Sequence, residues 1–112
     1  MRLINKKALE KLKRKNRGNV SLSAAIDKLI NDIEGSKWHS QSELKKERPD
    51  ADRVHREGFY FFNIYIHRTM VLIEFDDQEA SVVWVGTHQE YDATFKNNKN
   101  AIKNWLKSND WI

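Results

Sequence analysis

Residues 81–92 read SVVWVGTHQEYD, and the rest of the chain is interpreted outward from them. The first half is a β-branched and aromatic run that ends at Gly86, which is typical of a buried strand reaching the edge of a sheet. The second half brings an imidazole, a phenol, two carboxylates and a hydroxyl together within residues 87–92. Because imidazole is a side-chain group that can titrate near neutral pH, we expect any chemistry of the protein at this edge, on a short turn after the strand.

Three further strands are predicted before this stretch, from apolar runs at Arg53–His55, Phe59–Ile66 and Met70–Phe75. The polar residues Asp76–Glu79 have the composition of a tight turn, so the last two strands should be antiparallel neighbours. The run Phe59–Ile66 is nearly continuous in apolar side chains and suits a central strand. A twisted, mainly antiparallel sheet is the expected result.

Two helices are predicted upstream of the sheet, after a short strand at Arg2–Ile4. The first begins with Asn5 as its N-cap and carries a narrow apolar stripe among many basic residues. The second begins at Ser21 or Ser23 and ends at Gly35. Its apolar residues have helical spacing at Leu22, Ile26, Leu29, Ile30 and Ile33. Joined by a short turn, the two helices should form an antiparallel hairpin that lays one apolar face on the sheet.

The remaining segments complete the predicted fold. Residues 36–49 are interpreted as a connector with one helical turn, which Trp38 and Leu44 dock onto the core. A final helix is predicted from Asn97 or Asn98, with an apolar side and a lysine stripe interpreted as solvated surface. These elements predict an α+β fold in one domain, residues 1–112.

Composition excludes several classes of chemistry. The chain has no cysteine, so it has no disulfide, thiolate nucleophile or cysteine-based zinc site. The other histidines, His39, His55 and His67, show no ligand spacing with His88, so we expect neither a metal nor a cofactor. The N-terminal residues become basic before a signal-type apolar segment forms, and no later segment approaches membrane-spanning length. We therefore expect a soluble, cytoplasmic protein that does not bind membranes.

The net charge of +4 is unevenly distributed. Residues 1–17 contain eight basic residues and one acidic residue, and residues 95–112 contain four lysines and one aspartate. By counting, the ends carry about +7 and +3 and the middle about −6. A polyanion such as RNA or DNA explains cationic ends on a compact domain, although a solvated surface explains them too.

The chain resembles the HigB family of RelE-like toxins from bacterial type II toxin-antitoxin systems. The resemblance runs from about residue 1 to about residue 95 and is carried by Trp38–Leu44 leading to Ala51–Val54, by Tyr60–Ile64, and above all by Gly86–Asp92. It implies a RelE-like fold, in which an N-terminal helical hairpin packs on a twisted, mainly antiparallel sheet with a C-terminal helix.

The same resemblance implies an activity. A family member of this kind is a small, metal-independent endoribonuclease, or mRNA interferase, that enters the ribosomal A site and cuts mRNA, which inhibits translation. A HigA-type antitoxin with a helix-turn-helix domain neutralises it, and the toxin reaches operator DNA only through that antitoxin. The 2′-hydroxyl attacks the adjacent phosphate, which requires a general base, a general acid and a cation.

The family motif assigns these roles to residues of this chain. His88 is the expected acid or base, Tyr91 is expected in proton transfer or in stacking on a base, and Asp92 is expected to orient one of the two. Arg68 is the candidate for stabilising the negative charge on the phosphate. The chain departs from the family pattern just before Arg68, where the hairpin is shorter and lacks glycine. If His67 and Arg68 form that turn, Arg53, Arg56 or Lys46 would supply the charge.

A second group of residues is expected to bind RNA. The basic first helix would clamp messenger or ribosomal RNA through its cations, with further contacts from the connector and the first long strand. The RNA-binding candidates are Lys6, Lys7, Lys11, Lys13, Arg14, Lys15, Lys46 and Arg53.

Each assignment has a structural alternative. His88 at a strand end can simply satisfy a hydrogen bond, Tyr91 can pack under the sheet edge, and the basic helix can present a solvated face. On that interpretation the protein is a non-catalytic RNA-binding or protein-binding domain, in which the motif is only a helix cap and a packing corner.

Overall fold

The computed structural model describes residues 1–112 throughout. The five strands are β1 (Arg2–Ile4), β2 (Asp52–His55), β3 (Phe59–Ile64), β4 (His67–Glu74) and β5 (Glu79–Thr87). The five helices are α1 (Lys7–Lys15), α2 (Val20–Glu34), α3 (Gln41–Glu47), α4 (His88–Phe95) and α5 (Lys99–Ser108). The elements make an α+β fold, and no helix is both long enough and apolar enough to cross a membrane.

The strands form one mixed sheet in the order β1-β5-β4-β3-β2. The neighbours from β5 to β2 are antiparallel, as the turn and strand patterns predict, whereas β1 pairs with β5 in parallel. β3 lies inside the sheet between β2 and β4, which agrees with its continuous apolar run. The antiparallel arrangement brings the end of β5 beside the start of β4, and the candidate site lies there.

The sheet is covered on both faces. On one face, apolar residues of α1 and α2 pack against alternate residues of β3, β4 and β5 in a cluster that includes Leu9, Ile26 and Phe62. On the other face, α4 and α5 cover a second cluster built around Phe61, Met70 and Phe95. The five helical positions predicted for α2 are all buried, and so are Trp38 and Leu44 of the connector. The antiparallel orientation of α1 and α2 stays a prediction.

A bulge in β5 aims two neighbouring side chains at the second cluster. Met70 pairs with Trp84 and Val71 pairs with Val82, so Val83 is an extra residue on β5. Val83 and Trp84 both pack against the second cluster, while Val82 and Val85 pack against the first. The extra residue therefore changes the alternation of β5 just before the functional stretch.

Two helix caps differ from the prediction. Asn5 is not the N-cap of α1: it has a left-handed φ of 62° and its Nδ2 donates a hydrogen bond to the Val82 carbonyl at 3.0 Å. Asn19 caps α2 in place of either serine, because its side-chain oxygen accepts a hydrogen bond from the Leu22 amide at 3.0 Å. Asn5 thus ties the start of α1 to β5, whereas Asn19 caps its own helix.

Candidate active site

The polar motif after β5 lies in the first turn of α4, not on a short turn as the sequence interpretation expected. The Thr87 hydroxyl accepts a hydrogen bond from the Glu90 amide at 3.0 Å, and the Glu90 carboxylate accepts one from the Thr87 amide at 2.8 Å. This reciprocal capping box satisfies N–H groups at the start of the helix and so favours a helix over a turn. The T-x-x-E spacing is the sequence signal that locates α4.

Arg68 lies on β4, opposite Asn63 of β3 and Gly86 of β5. The turn before it consists of Tyr65 and Ile66, since Ile64 already pairs with His67. Tyr65 takes the left-handed conformation, with a φ of 61°, which glycine adopts most readily in such turns. Arg68 is therefore held by a strand with neighbours on both sides.

Two aromatic rings and one amide support the Arg68 side chain. Its guanidinium carbon lies 4.5 Å from the centroid of the Tyr91 ring and 5.3 Å from the centroid of the Phe61 ring. Its Nε donates a hydrogen bond to the Asn63 side-chain oxygen at 3.2 Å. No carboxylate forms an ion pair with Arg68, and its two terminal nitrogens make no hydrogen bond. The charge is fixed in position and is not neutralised by the protein.

Gly86 is required by the packing next to Arg68. A Cβ atom at this position would lie 2.6 Å from two carbons of the Trp84 ring and 3.2 Å from the Glu90 Cβ. Only a glycine lets the indole lie across the end of β5, where it packs edge-on against Phe61 and Phe95. The glycine that ends the apolar run thus allows the aromatic support of the site.

Tyr91 is buried, with 4% of its surface exposed. Its ring packs edge-on against Phe61 at a centroid distance of 5.0 Å and carries Arg68 on its face. Its hydroxyl donates a hydrogen bond to the Asn97 side-chain oxygen at 3.2 Å. The structure therefore brings two of the predicted catalytic residues, Arg68 and Tyr91, into direct contact.

His88 is exposed and is the first residue of α4. Its backbone N–H donates to the Ile66 carbonyl at 3.4 Å, which ties the helix start to the turn before β4. Since residues three apart in a helix share a face, His88 and Tyr91 lie on the same side of α4. His88 is thus an accessible imidazole at the edge where Arg68 is presented.

His67 is a neighbour of the site that the sequence interpretation assigned no role. It faces Thr87 across the sheet and is 6% exposed, and its Nδ1 atom has no hydrogen-bond partner. Burial lowers the pKa of His67 below its ordinary value, Glu90 partly opposes this effect, and His88 adds to it. His67 is therefore neutral at physiological pH. Its strand position beside Arg68 is the only sequence signal that pointed to it.

Asp92 is not in contact with the groups that it was expected to orient. Its side chain is exposed and makes no hydrogen bond with His88 or Tyr91, and the phenol of Tyr91 is bonded to Asn97 instead. Asp92 follows Tyr91 directly, and adjacent residues in a helix do not face each other. His88 and Asp92 are four positions apart on one face of α4, but their exposed side chains form no hydrogen bond.

The predicted RNA-binding residues fall into two groups. Lys6 and Lys13 form ion pairs with Glu34 and Asp27 of α2, at 3.1 Å and 2.7 Å, and are partly neutralised. Arg53 donates hydrogen bonds to the Arg56 carbonyl at 2.7 Å and to two other oxygens. The exposed cations that form neither an ion pair nor a side-chain hydrogen bond are Lys7, Lys11, Arg14, Lys15 and Lys46. The structure gathers no group of three or more histidine, aspartate or glutamate side chains that could hold a metal ion.

The chain matches one known family over more than half of its length. A family model described as HigB_toxin, RelE-like toxic component of a toxin-antitoxin system, matches residues 22–94. The matched segment covers most of α2, all of α3, strands β2 to β5, and all of α4 except its last residue. It therefore contains Arg68, His88 and Tyr91, whereas α1 and α5 lie outside it. A search of curated proteins finds no significant match.

Proposed function

The chain belongs to the HigB family of RelE-like toxins, the toxic components of toxin-antitoxin systems, and from this premise we propose that it is a ribosome-dependent mRNA endoribonuclease. The cleavage needs no cofactor. A base removes the proton of the ribose 2′-hydroxyl, the 2′-oxygen bonds to the adjacent phosphorus, and the bond from phosphorus to the 5′-oxygen breaks. An acid protonates that oxygen, which leaves a cyclic phosphate and a free 5′-hydroxyl.

The unneutralised charge of Arg68 is the observation that carries this proposal. Negative charge builds on the phosphate oxygens in the transition state, and a preorganised cation stabilises it most when the cation is already in place. The Tyr91 and Phe61 rings and Asn63 hold the guanidinium by its faces and its Nε, so the two terminal nitrogens are free. A guanidinium presented in this way can fork onto two phosphate oxygens.

His88 is the proposed proton-transfer group. It is exposed at the same edge, and its backbone is held by the turn before β4. An accessible imidazole can give and take a proton, which general acid–base catalysis requires. His67 is buried and neutral beside it, and we assign it no proton transfer.

We propose that Tyr91 positions Arg68 through its ring and is dispensable as a phenol. Tyr91→Phe keeps the ring and loses one hydrogen bond, so cleavage should fall by less than about tenfold. Tyr91→Ala removes the ring under Arg68 and should lower cleavage by about 100-fold, in line with a misplaced phosphate donor. Rates of mRNA cleavage in a translation extract measure both. A loss in Tyr91→Phe as large as in Tyr91→Ala would return the phenol to proton transfer.

The proposed partners follow from the family and from the reaction. The antitoxin is expected to be a HigA-type protein with a helix-turn-helix domain, through which alone the toxin reaches operator DNA. The substrate is mRNA on the ribosome in the cytoplasm. Lys7, Lys11, Arg14, Lys15 and Lys46 are exposed without an ion pair and are proposed to contact RNA phosphates.

A second candidate function is a non-catalytic RNA-binding or protein-binding domain. The observations that favour it are the capping box of Thr87 and Glu90 and the burial of Tyr91, since both give the motif a structural role. On this interpretation His88 is dispensable, and reversing the charges of Lys11 and Lys15 removes all activity. Retained activity in that charge-reversal variant would exclude the binding domain.

Mapping mRNA 5′ ends in translating cells tests the proposed nuclease. Wild-type protein should create new 5′ ends inside translated codons after brief induction. Arg68→Ala should reduce them by about 10²–10³-fold because one preorganised charge is lost. Arg68→Lys should fall between the two, since the charge remains but the fork is lost. Lys107→Ala, an exposed change on α5, is the control. Growth arrest without such cuts would remove the nuclease assignment.

A further inference from the structure

A basic cleft lies between the edge strand β2 and helix α5, away from Arg68. Its volume is about 430 Å³, and four of its seven lining residues are cations: Arg53 and Arg56 from the β2 side, and Lys99 and Lys103 from α5. No acidic residue lines it, and Val54 is its only hydrophobic residue. The sequence interpretation treated the lysines of α5 as solvated surface, but the fold places two of them across a cleft from two arginines.

The charges of this cleft are not neutralised within the chain. Arg56, Lys99 and Lys103 are exposed and form no ion pair. Arg53 is held at the cleft by hydrogen bonds to the Arg56 carbonyl at 2.7 Å and to the Gln41 side chain at 3.4 Å. Like charges held together in a concave surface repel one another and raise the local concentration of anions. The cleft is thus built to receive negative charge.

His55 also lines the cleft, and its neighbours hold its ring in place. The Glu57 amide donates a hydrogen bond to His55 Nδ1 at 3.2 Å, so the proton of the neutral ring lies on Nε2. The Glu57 carboxylate lies 3.9 Å from the same Nδ1 and is the nearest acidic group to the lining residues. The ring also packs edge-on against Phe59 at a centroid distance of 5.8 Å, which fixes its position.

We propose that this cleft binds the phosphate backbone of the single-stranded RNA substrate, a few nucleotides away from Arg68; the inference rests on the proposed nuclease function. RNA is favoured over an acidic protein segment because the lining has one apolar residue and no tyrosine, tryptophan or phenylalanine. Protein interfaces have apolar and aromatic centres, whereas phosphate contacts need only cations and N–H donors.

The register of the sheet gives the spacing between the two sites. His55 pairs with Phe59 at one end of β3, and Arg68 pairs with Asn63 at the other end. Four residues of strand span roughly 13 Å, and β2 and β4 lie two strand spacings, about 10 Å, apart, so the two positions are roughly 16 Å apart. A stacked strand rises about 3.4 Å per nucleotide, so about five nucleotides cover this distance. One RNA strand can therefore contact the cleft and Arg68 together.

The decisive test is binding of an uncleavable RNA by charge-reversal variants. Arg56→Glu with Lys103→Glu removes one cation from each wall of the cleft. Neither side chain makes a hydrogen bond, so the fold should be kept, and thermal unfolding checks this. The matched control is Lys45→Glu with Lys107→Glu, which changes the net charge equally at two exposed positions outside the cleft. The probe is a fluorescent single-stranded RNA with 2′-O-methyl riboses, measured by anisotropy.

The cleft variant should bind this RNA about tenfold more weakly at about 0.1 M salt, while the control stays within about twofold of wild type. A plot of the logarithm of the binding constant against the logarithm of the salt concentration should have a slope that is shallower by roughly 1.4 for the cleft variant. Each of the two lost contacts with a single strand contributes about 0.7 to that slope. Equal losses in both variants would reduce the effect to net charge and overturn the proposal. A cleft variant that still binds RNA but no longer binds a polyglutamate peptide would assign the cleft to an acidic protein.

The design separates this proposal from the nuclease proposal. The 2′-O-methyl RNA cannot be cut, so its binding does not depend on catalysis. If the RNA binds through the cleft but no cuts appear in cells, the proposed RNA-binding role of the cleft stands and the proposed nuclease activity is excluded. If the wild-type protein cuts mRNA in cells but the cleft variant binds RNA normally, the nuclease proposal stands and the proposed role of the cleft is excluded.

Discussion

Replacing His88 by alanine should lower the rate of mRNA cleavage by about 10²–10⁴-fold, the usual loss when a general acid or base is removed. The side chain is exposed and makes no hydrogen bond, so the change should leave the free energy of unfolding within about 0.5 kcal/mol of wild type. Cleavage of a translated mRNA in a translation extract, followed by primer extension, measures the rate. Denaturant unfolding measures the stability of the same preparation.

The adjacent residue supplies the control for His88. Gln89 is also exposed in the first turn of α4, and Gln89→Ala should cleave at the wild-type rate. If His88→Ala cleaves as fast as Gln89→Ala, the proton is transferred by another group, and His67 and Glu90 are the titratable neighbours to replace next. If His88→Ala is unfolded, the capping region and not the imidazole is responsible for the loss.

Replacing Phe95 by alanine should destabilise the protein by about 3–5 kcal/mol, the usual cost of truncating a buried phenylalanine. Phe95 is fully buried at the centre of the second cluster. Its ring lies between 5.1 and 5.8 Å from the rings of Phe61, Trp84, Tyr91 and Trp105, measured between centroids. Since the free energy of unfolding of a small domain is only about 5–15 kcal/mol in total, the variant should unfold at a much lower denaturant concentration.

The Phe95 prediction also connects stability with the site. Tyr91 and Phe61, which carry Arg68, both pack on Phe95, so the folded fraction of the variant should cleave more slowly than wild type. Val20→Ala is the control: Val20 is 78% exposed, and its truncation should change stability by no more than about 0.5 kcal/mol. A loss below about 1 kcal/mol in Phe95→Ala would mean that the aromatic cluster relaxes around the cavity.

His88 and Phe95 both act through the packing that holds the site in place. The aromatic cluster between the sheet and helices α4 and α5 fixes the tyrosine that lies under Arg68, and the capping box fixes the helix start that carries His88. The charge and the imidazole are thereby presented from two rigid elements, a strand and a helix, without a flexible loop between them. The turn of Tyr65 and Ile66 joins these elements, because its carbonyl accepts the hydrogen bond from the His88 amide.

Several local features of this protein were predictable from its residues alone. Alternating and continuous apolar runs predicted β2 to β5 and their antiparallel neighbours, and helical spacing predicted the buried face of α2, because these signals depend on residues close in the chain. The stretch Gly86–Asp92, together with Trp38–Leu44, Ala51–Val54 and Tyr60–Ile64, indicated the family, and the family model over residues 22–94 confirms it. The capping box was equally local, and its spacing marks the helix that the sequence interpretation missed.

Contacts between side chains that are distant in the chain depended on how the whole elements pack. That Arg68 lies on Tyr91, that His67 is buried beside His88, and that Asp92 makes no hydrogen bond with His88 or Tyr91 all depend on the register of β4 with β5 and on the angle of α4. Arg56 and Lys103 share a cleft although 46 positions separate them in the chain. Packing of whole elements sets these contacts, and no short window of sequence contains the two surfaces that pack together.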